Sequence, residues 1–161
     1  MSIESEEAKK KNAHIPFHEK EYTYYKETNQ YFPFLEVTVG SDTSRKRIVA
    51  LADTGCTSCI HFCKSYVEKE GLTLGKKVNK EPIPVSVADG HIINADLYEV
   101  TCEIDGNEQK VIASVIDPEK FFEEEKKEIE IVEPLMGRGI LDNFDVTFKG
   151  KKKKILLFHS E

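Results

Sequence analysis

Ile48-Val49-Ala50-Leu51-Ala52-Asp53-Thr54-Gly55 is the stretch on which the reading of this chain turns. A short apolar run that ends in an acid, a hydroxyl and a glycine reads as a buried strand delivered into a tight turn. A carboxylate at the end of such a strand is costly unless it is hydrogen-bonded, shared or paired. Thr54 can bond neighbouring backbone through its hydroxyl, and Gly55 lets the chain turn with no Cβ in the way. Alone, the triplet also describes an ordinary surface turn after a strand. Its context has to decide.

Two further stretches supply that context. Val85-Ser86-Val87-Ala88-Asp89-Gly90-His91-Ile92-Ile93 places Asp89-Gly90 between alternating residues, a strong local signal for a β-hairpin. Later, Leu135-Met136-Gly137-Arg138-Gly139-Ile140-Leu141-Asp142-Asn143-Phe144 sets an apolar pair before Gly137-Arg138 and a short helical pattern.

In order and rough spacing, these three features resemble the retropepsin-like aspartic proteases, the single-domain retroviral-type peptidases and their cellular relatives. The likeness spans residues 31 to 148, most of the chain. It implies a mainly β, single-domain acid-protease barrel with one or two short helices, formed as a homodimer. It also implies roles. Asp53 would be the catalytic acid. Thr54 would hydrogen-bond across the dimer axis, and Gly55 would leave room for substrate. Val87, Ala88, Asp89, Gly90 and His91 would form the tip of a flap over the bound peptide, His91 having no catalytic part. Leu135, Met136, Gly137 and Arg138 would be a structural motif packed behind the catalytic turn. In viral members the equivalent arginine pairs with an acid just after the catalytic glycine. Here that segment reads Cys56-Thr57-Ser58 and offers none.

Composition bounds the alternatives. The 161 residues suit one compact domain. With 39% hydrophobic and 32% charged residues the chain reads as globular, its surface heavily charged. A net charge of −6 argues against a general nucleic-acid binder. No apolar run approaches the ~20 residues that would cross a bilayer. Met1-Ser2-Ile3-Glu4-Ser5-Glu6-Glu7 lacks the apolar stretch of a secretory signal, so the expected location is cytoplasmic, away from membranes.

The four cysteines are Cys56, Cys59, Cys63 and Cys102. Without an export signal they are expected as reduced thiols. Cys56, Cys59, His61 and Cys63 suggest a zinc cluster, but the spacing is tight and irregular and no second pair lies downstream. They read better as small apolar thiols. No metal and no cofactor is expected.

Along the chain, residues 1–20 are polar and charged and read as a flexible tail, leaving 21–161 as the domain. Tyr22, Tyr24, Tyr25 and Tyr31 read as aromatic cover over a sheet. Phe34 to Val39 alternates as a half-buried strand and Arg45 to Leu51 returns beside it. Ile60 to Glu70 suggests a short helix ended by Gly71. Leu97 to Ile104 and Gln109 to Ile116 form a hairpin through Asp105-Gly106-Asn107. The charged stretch 117–131, rich in Glu and Lys, resembles an insertion relative to the family. Arg138 to Phe144 reads as a short helix, and Asp145 to Phe148 with Lys154 to Phe158 as a terminal hairpin whose lysines form a solvated edge.

There is no second Asp-Thr-Gly or Asp-Ser-Gly in the chain. Hydrolysis of a peptide by water needs a base for the water and an acid for the carbonyl oxygen. Two carboxyls pressed together supply both, because close like charges cannot both ionise and the pair holds one proton. With one such turn per chain, a working dyad requires two chains, each contributing Asp53 across a two-fold axis. The expected activity is an aspartic endopeptidase acting on a peptide or protein substrate with apolar residues near the cut bond, best at acidic to mildly acidic pH. The alternative is a catalytically silent peptide-binding or dimerisation module on the same fold, since a fold does not guarantee chemistry.

Overall fold

The structure, a computed structural model, describes residues 17–25, 30–86, 92–117 and 134–158. Twelve strands and two short helices follow one another in these segments: β1 Phe17–Glu21, β2 Thr23–Tyr25, β3 Gln30–Phe32, β4 Phe34–Gly40, β5 Arg45–Ala52, β6 Ile60–Cys63, α1 Lys64–Glu70, β7 Ile83–Ser86, β8 Ile92–Ile104, β9 Asn107–Ile116, β10 Leu135–Met136, α2 Arg138–Leu141, β11 Asp145–Lys149 and β12 Lys154–Phe158. The mainly β architecture with short helices is the one the sequence implies.

The central sheet runs β4-β5-β10-β6-β9-β8-β7, and β4 also pairs with β8. That extra pairing, Val39 opposite Cys102, closes six strands into a barrel and leaves β7 outside it. Closure removes the open edges that a flat sheet would expose. Alternation explains which side chains fill it. Leu35, Val37 and Val39 of β4 face Ala50 and Ile48 of β5, all buried, while Glu36 points out. Phe62, Ile60, Met136, Val100 and Ile104 complete the interior.

The turns follow the glycine and aspartate chemistry. Asp105 (φ 49°) and Gly106 (φ 79°) make a two-residue turn with both central residues left-handed, which matches the twist of the long β8–β9 ladder. Gly71 (φ 62°) caps α1 in the left-handed conformation, donating its N–H to Glu68 O.

Several sequence expectations are corrected. The helix over Ile60 to Glu70 is helical only from Lys64. Ile60 and Phe62 are fully buried while His61 and Cys63 are half-buried, a period of two that makes β6 a strand. The helix from Arg138 ends at Leu141, not Phe144. The two hairpins expected around residue 97 share one strand, because β8 runs unbroken for 13 residues. The charged tail of residues 1–20 does not reach Lys20: Phe17–Glu21 pair with β12 in a sheet ordered β1-β12-β11. Residues 1–16, the flap tip 87–91 and residues 118–131 of the expected insertion lie outside the described residues.

Candidate active site

β5 ends at Ala52, and the chain enters the Asp53-Thr54-Gly55 turn held on both sides. Leu51 N–H donates to Pro134 O (2.8 Å), Ala52 N–H to Pro33 O (2.9 Å) and Asp53 N–H to Met136 O (2.9 Å). β10 is the reason. This two-residue strand lies parallel to β5 and antiparallel to β6, so it is clamped between the strand entering the turn and the strand leaving it.

The turn also braces itself. Gly55 N–H donates to Asp53 Oδ1 at 2.9 Å, and Cys56 N–H donates to Asp53 O at 3.2 Å. The carboxylate is thus oriented by its own loop, as short polar side chains do in turns. Asp53 is half-buried, whereas Thr54 and Gly55 are exposed beside it.

Behind the turn, residues 137–139 are laced to 56–59 by main-chain bonds. Gly137 N–H donates to Cys59 O (2.9 Å), Arg138 N–H to Cys56 O (2.8 Å) and Gly139 N–H to Ser58 O (3.2 Å). Gly137 is needed for space rather than for torsion, since its φ is −96°. A Cβ there would run into Ser58 O and come within 2.7 Å of Cys56 O and 3.0 Å of Cys56 Sγ. Gly139, not singled out from the sequence, is equally tight: its Cβ would meet Cys59 Sγ at 2.5 Å. The Gly-x-Gly spacing was the available signal.

Arg138 braces the loop through its backbone only. Its side chain is exposed and meets Asp142 Oδ2 at 3.5 Å on the same helix, a pair worth little in water. Leu135 is half-buried and Met136 fully buried, so the late motif splits between the two faces of the sheet.

The cysteines do not gather. Among the described residues no group of three His, Cys, Asp or Glu side chains is placed to hold a metal ion. Cys56 Sγ lies 3.1 Å from Ser58 Oγ. Cys59 and Cys63 pack partly buried against the core, and burial raises the Cys63 pKa. Cys102 is buried, and desolvation, with a lesser contribution from nearby Cys59, pushes its thiol up to about 12.

Among the described residues, one cleft of about 600 Å³ lies around Asp42, Thr101 and Lys110, and another of about 530 Å³ around Glu68, Asp96 and Tyr98. No helix among the described residues is long and apolar enough to cross a membrane.

No protein-family model matches this chain, and no curated protein does. Among solved structures, the chain is similar to the EIAV protease complexed with the inhibitor HBY-793, with a TM-score of 0.50 and 19% identity. The similarity covers 74% of this chain and 91% of that one. At this identity the likeness shows the fold alone: the chain is a retropepsin-like β-barrel.

Proposed function

We propose that the protein is an aspartic endopeptidase whose dyad is assembled from Asp53 of two identical chains. The observation that carries this reading is the Asp53 turn. One carboxylate per chain is oriented by Gly55 N–H, braced from behind by residues 137–139, and half-buried beside exposed Thr54. That is half of a site, and a two-fold axis through the turn completes it.

In the dimer, the two carboxyls share one proton. The ionised one takes a proton from water as the water oxygen attacks the scissile carbonyl carbon. The protonated one gives its proton to the carbonyl oxygen, so the charge on the pair is conserved. Collapse of the tetrahedral intermediate breaks the C–N bond and a proton passes to the departing nitrogen. Because one carboxyl must be protonated, activity is highest at acidic to mildly acidic pH and fades as the pair loses its proton.

The pairing of β7 with β8, from Ile83–Ala95 to Ser86–Ile92, supports the reading of the segment between them as a flap over bound peptide. The test is cleavage of a peptide library by purified protein. The wild type hydrolyses it, and Asp53→Asn, nearly isosteric, loses at least a hundredfold of the rate while keeping its fold. Full cleavage by Asp53→Asn would assign the activity elsewhere.

A further inference from the structure

Strand register shows what else shares a face with Asp53. Leu51 pairs with Leu135, Leu135 with His61, and His61 with Ser114. Directly opposed residues on neighbouring strands project from the same side of a sheet. Asp53 follows Leu51 by two residues and continues that side. The next row, Ala52, Met136, Ile60 and Ala113, points the other way into the core. A strip therefore runs from Asp53 over half-buried Leu51 and Leu135 to His61 and Ser114. It ends where Ile93 and Ala95 of β8 and Val85 of β7, the base of the hairpin, pack on Ile116 and Cys63. With strands ~4.8 Å apart and ~3.3 Å of rise per residue, His61 sits roughly 12 Å from Asp53 along this floor. That is the reach of a residue one to three positions from the cut bond.

The strip is apolar except at one place. His61 Nδ1 and Ser114 Oγ are hydrogen-bonded at 2.5 Å, and Ser114 is buried. Ser114 Oγ can donate to Nδ1 or accept from it. With the hydroxyl as donor, the neutral ring carries its proton on Nε2. Burial lowers the His61 pKa, which favours this neutral form. Among the described residues the one buried side-chain polar atom without a hydrogen bond is Asp96 Oδ1, which still faces Lys77 Nζ at 3.1 Å. His61 Nε2 has no hydrogen bond there and is not such an atom, so it keeps some accessible surface.

From this geometry we infer that His61, locked by Ser114, is a specificity-determining residue: it selects a substrate side chain with an apolar stem and an acceptor tip, glutamine or glutamate, within three residues of the cut bond. The leucines hold the stem, and the Nε2–H donates to the tip. The inference rests on the proteolytic reading of Asp53. A site built to hydrogen-bond a substrate group discriminates against the analogue that lacks it, because its own polar atom is then left unpaired.

The test is a peptide library varied at three positions on each side of the cleaved bond, read as kcat/KM. Wild type prefers Gln or Glu over Leu or Met about tenfold at one position. The double variant His61→Leu/Ser114→Ala removes both polar partners together, so it keeps the fold. It loses the preference: its kcat/KM for the Gln or Glu peptide falls about tenfold relative to that for the Leu peptide. Ser114→Ala alone weakens the preference by freeing the tautomer. A wild-type profile with no acceptor preference at any position, or an unchanged profile in the double variant, overturns the inference and leaves proteolysis standing. A wild type that cuts nothing overturns both.

Discussion

Replacing Gly137 by alanine tests the bracing behind Asp53 most sharply. The added Cβ overlaps Ser58 O and sits 2.7 Å from Cys56 O and 3.0 Å from Cys56 Sγ, against the usual contact of ~3.4 Å or more. Relief requires the 137–139 segment to withdraw from the 56–59 loop. That stretches the bonds from Gly137 to Cys59 O and from Arg138 to Cys56 O, now 2.9 and 2.8 Å. Overpacking costs about 1–3 kcal/mol and each of the two weakened main-chain bonds about 0.5–1.5 kcal/mol, so the loss is about 2–6 kcal/mol. For a chain of 161 residues this lowers the melting temperature by roughly 4–24 °C. Gly150→Ala is the control, because nothing lies within 4 Å of a Cβ there. Thermal unfolding of both variants followed by circular dichroism gives the comparison. If Gly137→Ala melts within about 1 °C of wild type, the loop is not braced as described.

Phe62 is fully buried inside the barrel, so Phe62→Ala should cost about 3–5 kcal/mol in denaturant unfolding; a loss under about 1 kcal/mol would contradict the closed core. Stability should fall as pH drops below about 6.5, because the unfolded His61 takes a proton there while the native ring, its pKa lowered by burial, does not. The fall levels off below the native value, and the His61→Leu/Ser114→Ala variant should lack this component in melts taken across pH. Cys102 should resist alkylation in the native protein near neutral pH and react only on unfolding, since its thiol is buried and titrates at about 12; rapid labelling in native buffer, located by mass spectrometry, would refute its placement.

What the sequence disclosed was local. Asp105-Gly106, the alternation of Phe34 to Val39 and the Gly71 stop each carry their own torsional or periodic signal, and each stands in the structure. β6 was hidden because Ile60, Phe62, Tyr66 and Val67 also satisfy a helical spacing over so short a run. β1 was hidden because Phe-His-Glu-Lys-Glu is as polar as a tail; its order comes from the β12 edge, over a hundred residues away. At the site, the Asp53 turn was legible, while its lacing to residues 137–139 depends on pairings some 80 residues apart that no local pattern encodes. Resemblance alone pointed to Gly137. The His61–Ser114 pair spans 53 residues and became visible only through strand register.

The central claim is that two chains complete one active centre, and the separation of the two Asp53 carboxyl groups in the assembled protein tests it most directly. A crystal structure of the protein at a concentration where it sediments as a dimer should place them about 3 Å apart across the two-fold axis, close enough to share a proton. A dimer that holds them more than about 10 Å apart, beyond any shared proton or common water, would contradict the account.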